Sequence, residues 1–137
     1  MIQFTVPGTL PSLNEYVRAC RANVHAGNKM SHDAHYLCRL GMAKLNGRKV
    51  DKTYILFCWI EKDKRRDKDN IAFAKKFILD ALQEAGILHN DGWSEIIGFS
   101  DTFAVDKACP RVEVYLLTEQ EGKVYGKTEM YRLQTEV

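Results

Sequence analysis

The chain has 137 residues, of which 45% are hydrophobic and 28% are charged. This length fits one domain, and the apolar fraction is that of a globular protein, which excludes wholesale disorder. The longest unbroken apolar run, from Tyr54 to Ile60, is too short to cross a bilayer, and the N-terminus lacks the pattern of a secretory signal. The sequence therefore predicts a cytoplasmic protein without a membrane partner.

The net charge of +2 is distributed unevenly along the chain. Residues 1–50 carry a net charge of +5 and residues 62–76 one of +4, whereas residues 77–137 carry −6. Concentrated basic charge predicts a polyanionic partner for one face of the protein. The alternative is that both kinds of charge only solvate the surface.

The first half of the chain predicts one strand and one long helix. Residues 2–6 alternate as in a short strand, and residues 11–14 form a loop that can start a short helix. Ser31 is a suitable N-cap for a helix that runs to about Asn46 and stops at Gly47.

The second half predicts three strands and a second helix. The aromatic and β-branched run Tyr54–Glu61 predicts a buried strand. Asp69 is predicted to cap a long helix that Gly86 closes. Its apolar stripe consists of Ile71, Ala74, Ile78, Ala81, Leu82 and Ala85. Residues 95–105 and 111–117 are predicted to be strands and antiparallel neighbours.

This order of elements predicts the fold class. Alternating strands and helices followed by two strands indicate a single α+β domain, close to α/β, with one mixed sheet flanked by helices. The domain is expected to cover residues 1–119. Residues 120–137 are polar and acidic and are predicted to form a loosely ordered tail.

The four cysteines do not indicate a metal site. They lack the C-x-x-C spacing of zinc and thioredoxin-like motifs and are expected to be reduced thiols. His32 and His35 are three residues apart and would share a helix face, but no acidic or cysteine pattern around them completes a metal site.

Carboxylates set among basic side chains are the strongest chemical signal. Asp67 and Asp69 are separated by one residue, so on an extended segment both point to the same side. Mg²⁺ takes carboxylate oxygens as ligands and leaves room for phosphate oxygens. A third carboxylate, Asp91, would complete a site for metal-assisted phosphodiester hydrolysis.

Each acid also has a purely structural interpretation. Asp69 can be only a helix cap, and Asp67 only an ion-pair partner of its arginine neighbours. Asp91 stands before Gly92 and can be only a turn residue.

The spacing of these motifs resembles the RusA family of Holliday junction resolvases. The resemblance lies in Asp67-x-Asp69-Asn70, Lys76-x-x-x-Asp80-Ala81-Leu82, Gly86-Ile87-Leu88-x-Asn90-Asp91 and, upstream, Pro7-Gly8-x-x-Pro11-Ser12-x-Asn14. It covers about residues 2–117. Members of this family are small homodimeric endonucleases of bacteria and phages, and they nick two strands of a four-way DNA junction symmetrically with Mg²⁺ or Mn²⁺.

The resemblance implies roles for individual residues. Asp67, Asp69 and Asp91 would be the metal-binding catalytic carboxylates. The family lysine that assists at the phosphate lies one helical turn after the second acid, where this chain has Phe73. Lys76 is the favoured replacement, because it lies about two turns after Asp69 on the same helical face. Lys75 is the alternative.

Further residues are predicted to contact DNA. Asn14 is assigned by the resemblance alone. The basic side chains around the acids complete the set: Lys64, Arg65, Arg66, Lys68 and Lys75. The family often has two acids where this chain has Asn90 and Asp91, so Asp91 alone is expected to be the ligand.

The length of the second helix raises a geometric problem. A helix of sixteen or so residues spans about 24 Å, which separates Asp69 from Asp91. The helix can cross the sheet obliquely, the segment 86–91 can double back, or a partner subunit can supply Asp91. Phe73 and Phe77, on the helix flank, suggest either packing under a loop or a two-fold dimer contact.

The sequence thus predicts a RusA-like, dimeric, metal-dependent endodeoxyribonuclease that resolves Holliday junctions in DNA recombination and repair. The alternative is a non-cleaving protein of the same fold that binds branched DNA. A nucleotidyl transferase is a third possibility, but the chain has no glycine-rich phosphate loop to support it.

Overall fold

Four strands form one mixed sheet in the computed structural model, which describes residues 1–125 of the chain. The strands are β1 (Ile2–Pro7), β2 (Thr53–Glu61), β3 (Ile96–Val105) and β4 (Arg111–Leu117). Their order across the sheet is β1-β4-β2-β3. Strand β2 pairs parallel with β3 and antiparallel with β4, which in turn pairs antiparallel with β1.

Four α-helices connect the strands. They are α1 (Leu13–Ala22), α2 (Val24–Met42), α3 (Lys68–Ala72) and α4 (Lys75–Glu84), and a 3-10 turn (Ala43–Leu45) follows α2. The predicted single α+β domain with one mixed sheet is therefore confirmed. No helix within residues 1–125 combines the length and apolar character needed to cross a membrane.

The alternation of β2 explains where the core lies. Ile55, Phe57 and Trp59 are at most 1% exposed and join the buried side chains of α2 and α4 in one core. Each such burial stabilises the fold by about 1.5–3 kcal/mol. Tyr54 and Leu56 point to the opposite face of the sheet and are only half-buried.

The predicted antiparallel pairing of residues 95–105 with 111–117 is wrong. Strand β4 lies between β1 and β2, and β3 is an edge strand beside β2. The connecting loop 106–110 passes the end of β2, where the Asp106 N–H donates to the Glu61 carbonyl at 2.8 Å. This crossing gives the apolar strand β2 a neighbour on both sides and satisfies both of its edges.

The predicted start of the long helix at Ser31 is also wrong. Asn23 caps α2 with its side-chain oxygen, which accepts the Ala26 N–H at 2.7 Å, so Ser31 lies inside the helix. Ser12 caps α1 in the same way by accepting the Glu15 N–H. The predicted stop holds, because Asn46 and Gly47 both adopt positive φ after the 3-10 turn.

The predicted helix after Asp69 is divided in two. Asp67, not Asp69, occupies the N-cap of α3, and the chain bends between Ala72 and Lys75 before α4 begins. The predicted stripe is buried except for Ala85, which is exposed. Gly86 ends the segment with a φ of 74°.

The two aromatic residues on the helix flank pack within their own chain. Phe73 and Phe77 lie 5.7 and 5.4 Å from the ring of Tyr16 on α1. Phe77 is 2% exposed. Packing against α1 within the chain therefore accounts for the burial of Phe77 and for the contacts of Phe73.

The C-terminal segment departs from the predicted tail. Residues 119–125 are helical, and the Tyr125 ring lies 5.8 Å from that of Tyr54 on the second face of the sheet. The remainder of the predicted tail, residues 126–137, lies outside the described residues.

We predict that Gly41→Ala destabilises the fold. A Cβ atom at this position would overlap the carbonyl oxygen of Thr5, because the backbone of α2 lies directly against β1. Overpacking of this kind costs about 1–3 kcal/mol and outweighs the better helix propensity of alanine. Urea unfolding followed by circular dichroism measures the loss. The control is Asn28→Ala, an exposed position of the same helix, which should change stability by about 0.5 kcal/mol or less.

Candidate active site

Asp67 and Asp69 line one open cavity at the carboxyl end of β2. The cavity has a volume of about 840 Å³. Its lining comprises acidic, basic and apolar side chains: Glu61, Asp63, Lys64, Arg66, Asp67, Lys68, Asp69, Ile71, Phe103, Ala104 and Val105. The predicted acidic pair is therefore brought together beside basic groups.

The carboxylates of Asp67 and Asp69 are almost free of protein partners. Asp67 has extended backbone angles at the N-cap of α3, but its side chain makes no capping hydrogen bond. Asp69 accepts one hydrogen bond, from the Asn70 N–H at 2.9 Å. Within residues 1–125 neither acid forms an ion pair. Their free oxygen lone pairs suit a hard divalent cation such as Mg²⁺ or Mn²⁺.

Arg66 fixes the turn that carries these acids. Its Nε and Nη2 donate to the two carboxylate oxygens of Glu61 at 2.8 and 3.1 Å. Its Nη1 donates to the Leu10 carbonyl at 2.9 Å and to Glu15 at 3.1 Å. Burial acts to lower the pKa of Arg66, but the hydrogen bonds and negative charges of Glu61 and Glu15 outweigh it and raise that pKa. Four donated bonds leave the guanidinium little capacity for the predicted DNA contact.

Sequence reasoning did not single out Glu61. Its side chain is 11% exposed and lies at the last position of β2, where it pairs with Arg66. The only signal in the sequence is an acid that ends an apolar strand five residues before an arginine.

Asn14 lies against the same turn. Its backbone N–H donates to the side-chain oxygen of Asn70 at 3.3 Å. This bond joins the start of α1 to α3, so two of the four segments that carry the family resemblance are in contact. Asn70 thus connects the two helices and does not cap its own.

The basic side chains fall into two groups. Lys64 and Lys68 line the cavity, and Lys68 Nζ lies 5.6 Å from the centre of the Phe103 ring. Arg65 is 87% exposed and lies 3.6 Å from Asp63. These three remain accessible to a phosphate.

Lys75 and Lys76 do not line the cavity. Lys75 Nζ donates to Asp101 on β3 at 2.8 Å and lies 3.9 Å from the centre of the Phe99 ring. Asp101 also accepts the Trp59 indole N–H at 2.8 Å. Lys76 Nζ lies 3.5 Å from Asp80 and is 64% exposed. Neither lysine contacts Asp67 or Asp69 within one chain.

Asp91 lies at the opposite end of β2. Its segment is anchored there, because the Thr53 N–H donates to the Glu95 carbonyl and Val50 forms a bridge with Leu88. A strand of nine residues spans roughly 26–30 Å. Neither an oblique helix nor a doubled-back segment joins the acids within the chain. Accordingly, residues 1–125 contain no group of three metal-ligating side chains.

We predict that Arg66→Ala lowers the free energy of unfolding by about 2–3 kcal/mol. The substitution leaves the Glu61 carboxylate buried without its partner. Denaturant unfolding measures the change, and Arg65→Ala is the matched control, with an effect of about 0.5 kcal/mol or less. The double variant Glu61→Ala/Arg66→Ala should lose less than the sum of the single losses. Equal stabilities of the two arginine variants would contradict the anchoring role.

Comparison of the chain with models of protein families gave no match, and comparison with curated proteins gave none. The candidate site therefore depends on the chain's own geometry. That geometry consists of two free carboxylates in an open, partly basic cavity and a third carboxylate at the far end of the sheet.

Proposed function

We propose that the protein is a metal-dependent endodeoxyribonuclease that resolves four-way DNA junctions, as the motif spacing suggests. The observation that carries the proposal is the pair of Asp67 and Asp69. These two carboxylates have no charged partners and are available to bind a divalent cation. Lys64 and Lys68 line the same cavity and are available to bind a phosphate.

The residues of the cavity would have three separate roles: metal binding, DNA binding and positioning of the acids. Asp67 and Asp69 would hold Mg²⁺ or Mn²⁺, which on binding supplies an activated water and neutralises charge on the phosphate. Lys64, Lys68 and Arg65 would bind the DNA backbone on either side of the cut bond. Arg66 holds the acids in place through Glu61.

The third carboxylate can come from a second subunit. Strand β3 is an edge strand, and within residues 1–125 its outer edge has no partner. It carries the exposed apolar side chains Ile97 (42%), Phe99 (49%) and Val105 (46%). Such an edge favours pairing with another strand.

A two-fold axis at the middle of β3 would bring the acids together. Antiparallel pairing of β3 with its copy would bring the start of one β3 strand beside the end of β3 in the partner subunit. Val105, at the end of β3, lines the cavity of Asp67 and Asp69. The strand begins at Ile96, shortly after the turn that contains Asp91. Each cavity would then receive Asp91 of the partner subunit, and a homodimer would carry two sites for two symmetric nicks.

One observation favours a second candidate function. Because a single chain keeps Asp91 far from the other acids, a monomer is better suited to binding branched DNA than to cutting it. The dimer proposal and this alternative differ in whether two chains are required for cleavage.

We predict that the protein nicks synthetic four-way junctions in Mg²⁺ or Mn²⁺ and that Asp69→Asn reduces the rate by about a hundredfold or more. The variant should still bind the junction, because it removes negative charge from a phosphate-binding surface. Gel assays with labelled strands measure both properties. The control is Asp33→Asn, the same charge change on α2 outside the cavity, which should cleave normally. No cleavage by the wild type in either metal would refute the nuclease.

We predict that a mixture of Asp69→Asn and Asp91→Asn chains recovers activity that neither variant has alone. In a shared site, the mixed dimer contains one cavity with all three acids intact. Refolding the two variants together and counting nicks per junction tests this, and single nicks are expected. A mixture of Asp67→Asn and Asp69→Asn is the control, because it restores no complete site. Absence of recovery, from chains shown to form mixed dimers, would contradict the exchange of Asp91.

A further inference from the structure

We propose that Arg48, Lys49 and Lys52 form a second DNA-phosphate surface beside Asp91, which we call the basic loop. The inference rests on the proposed function, since it places DNA at the Asp91 end of the molecule as well as at Asp67. The loop joins the 3-10 turn after α2 to β2.

The three cations are available to a ligand. All three are exposed, and none forms an ion pair within residues 1–125. By contrast, Arg66 and Lys75 form ion pairs with Glu61 and Asp101 within the protein. Cations that remain unpaired can neutralise phosphates and release counterions on binding.

The basic loop is held against the segment that carries Asp91. Val50, at its centre, donates its N–H to the Ile87 carbonyl at 2.8 Å and bridges to Leu88. The turn before it is fixed by Arg48, whose N–H donates to the Leu45 carbonyl at 3.1 Å. A DNA strand that reaches Asp91 would therefore meet these side chains in a fixed position.

Acidic neighbours do not form ion pairs with the three cations within residues 1–125. Glu119 and Glu95 line the same cavity, but Glu119 lies 3.8 Å from Lys123 and Glu95 accepts the Ser94 hydroxyl at 3.0 Å. Asp51 is the only acid between residues 46 and 52. Residues 48–52 therefore carry a net charge of +2 on exposed side chains.

The two-fold arrangement proposed above would extend this surface. Because β3 would pair antiparallel with its copy, the basic loop of one subunit would lie near Lys64 and Lys68 of the partner subunit. The two groups would form one basic surface across the subunit boundary.

The test is the salt dependence of junction binding. Binding of a labelled four-way junction is measured by fluorescence anisotropy in EDTA across a series of KCl concentrations. For Arg48→Gln/Lys49→Gln/Lys52→Gln, we expect the slope of log affinity against log salt to fall in magnitude by roughly 2–3, at about 0.9 for each lost phosphate contact. The affinity at about 0.1 M salt should fall tenfold or more.

A matched triple variant separates this surface from net charge. Arg18→Gln/Arg21→Gln/Arg39→Gln makes the same charge change on exposed positions of α1 and α2, and its slope should stay within about one unit of the wild type. An unchanged slope for the loop variant, or equal flattening in both variants, would overturn the inference. If the loop variant unfolds, Lys49→Gln alone should reduce the slope by about one.

The wild type distinguishes this inference from the proposed function. Cleavage of junctions by the wild type, with an unchanged slope for the loop variant, overturns only the basic loop. Binding without cleavage, with a flattened slope for the loop variant, supports the basic loop and refutes the nuclease. A wild type that neither binds nor cleaves refutes both.

Discussion

The Arg66 guanidinium holds the candidate site together. It bonds to the end of β2, to the loop before α1 and to the first turn of α1 through Glu61, Leu10 and Glu15. Leu10 and Glu15 lie more than fifty residues before Arg66 in the sequence, whereas Glu61 lies five residues before it. Because Glu61 is nearly buried, its charge requires this partner, and the partner in turn fixes the turn that begins with Asp67. The acids can therefore remain free of other contacts without being loosely positioned.

The parallel pairing of β2 with β3 imposes the second constraint. Because β2 and β3 are parallel, the chain must return from the carboxyl end of β2 to the end of the sheet where both strands begin. Helices α3 and α4 form this connection. Residues that follow β2 and residues that precede β3 are consequently at opposite ends. Asp67 and Asp91 belong to these two groups, so their separation is a property of the topology and not of a particular loop conformation.

Local patterns in the sequence predicted what depends on local physics. The strand Tyr54–Glu61, the stop at Asn46 and Gly47 and most of the stripe along α4 follow from burial periodicity and backbone preference. The start of α2 was mispredicted because Asn23 directly follows α1, which leaves no polar linker to mark a new helix. The position of β4 between β1 and β2 depends on which strand is most stabilised by a neighbour on each side. That depends on the whole sheet and not on a local pattern.

The site shows the same division. Asp67 and Asp69 share a cavity as predicted, although Asp69 lies in the first turn of α3 and not on an extended segment. The bonds of Arg66 to Leu10 and Glu15 and of Lys75 to Asp101 were not predictable, because these partners are 56, 51 and 26 residues away in the sequence. A run of basic residues does not reveal which members are already neutralised by distant acids.

The ion pair of Lys75 with Asp101 has a consequence for solubility. It interrupts the exposed apolar face of β3 near its centre, between Phe99 and Phe103. Uninterrupted apolar edge strands recruit other chains indiscriminately and lead to aggregation. The Lys75–Asp101 ion pair, whose side chains are 15% and 22% exposed, therefore makes this edge less prone to indiscriminate pairing with other chains.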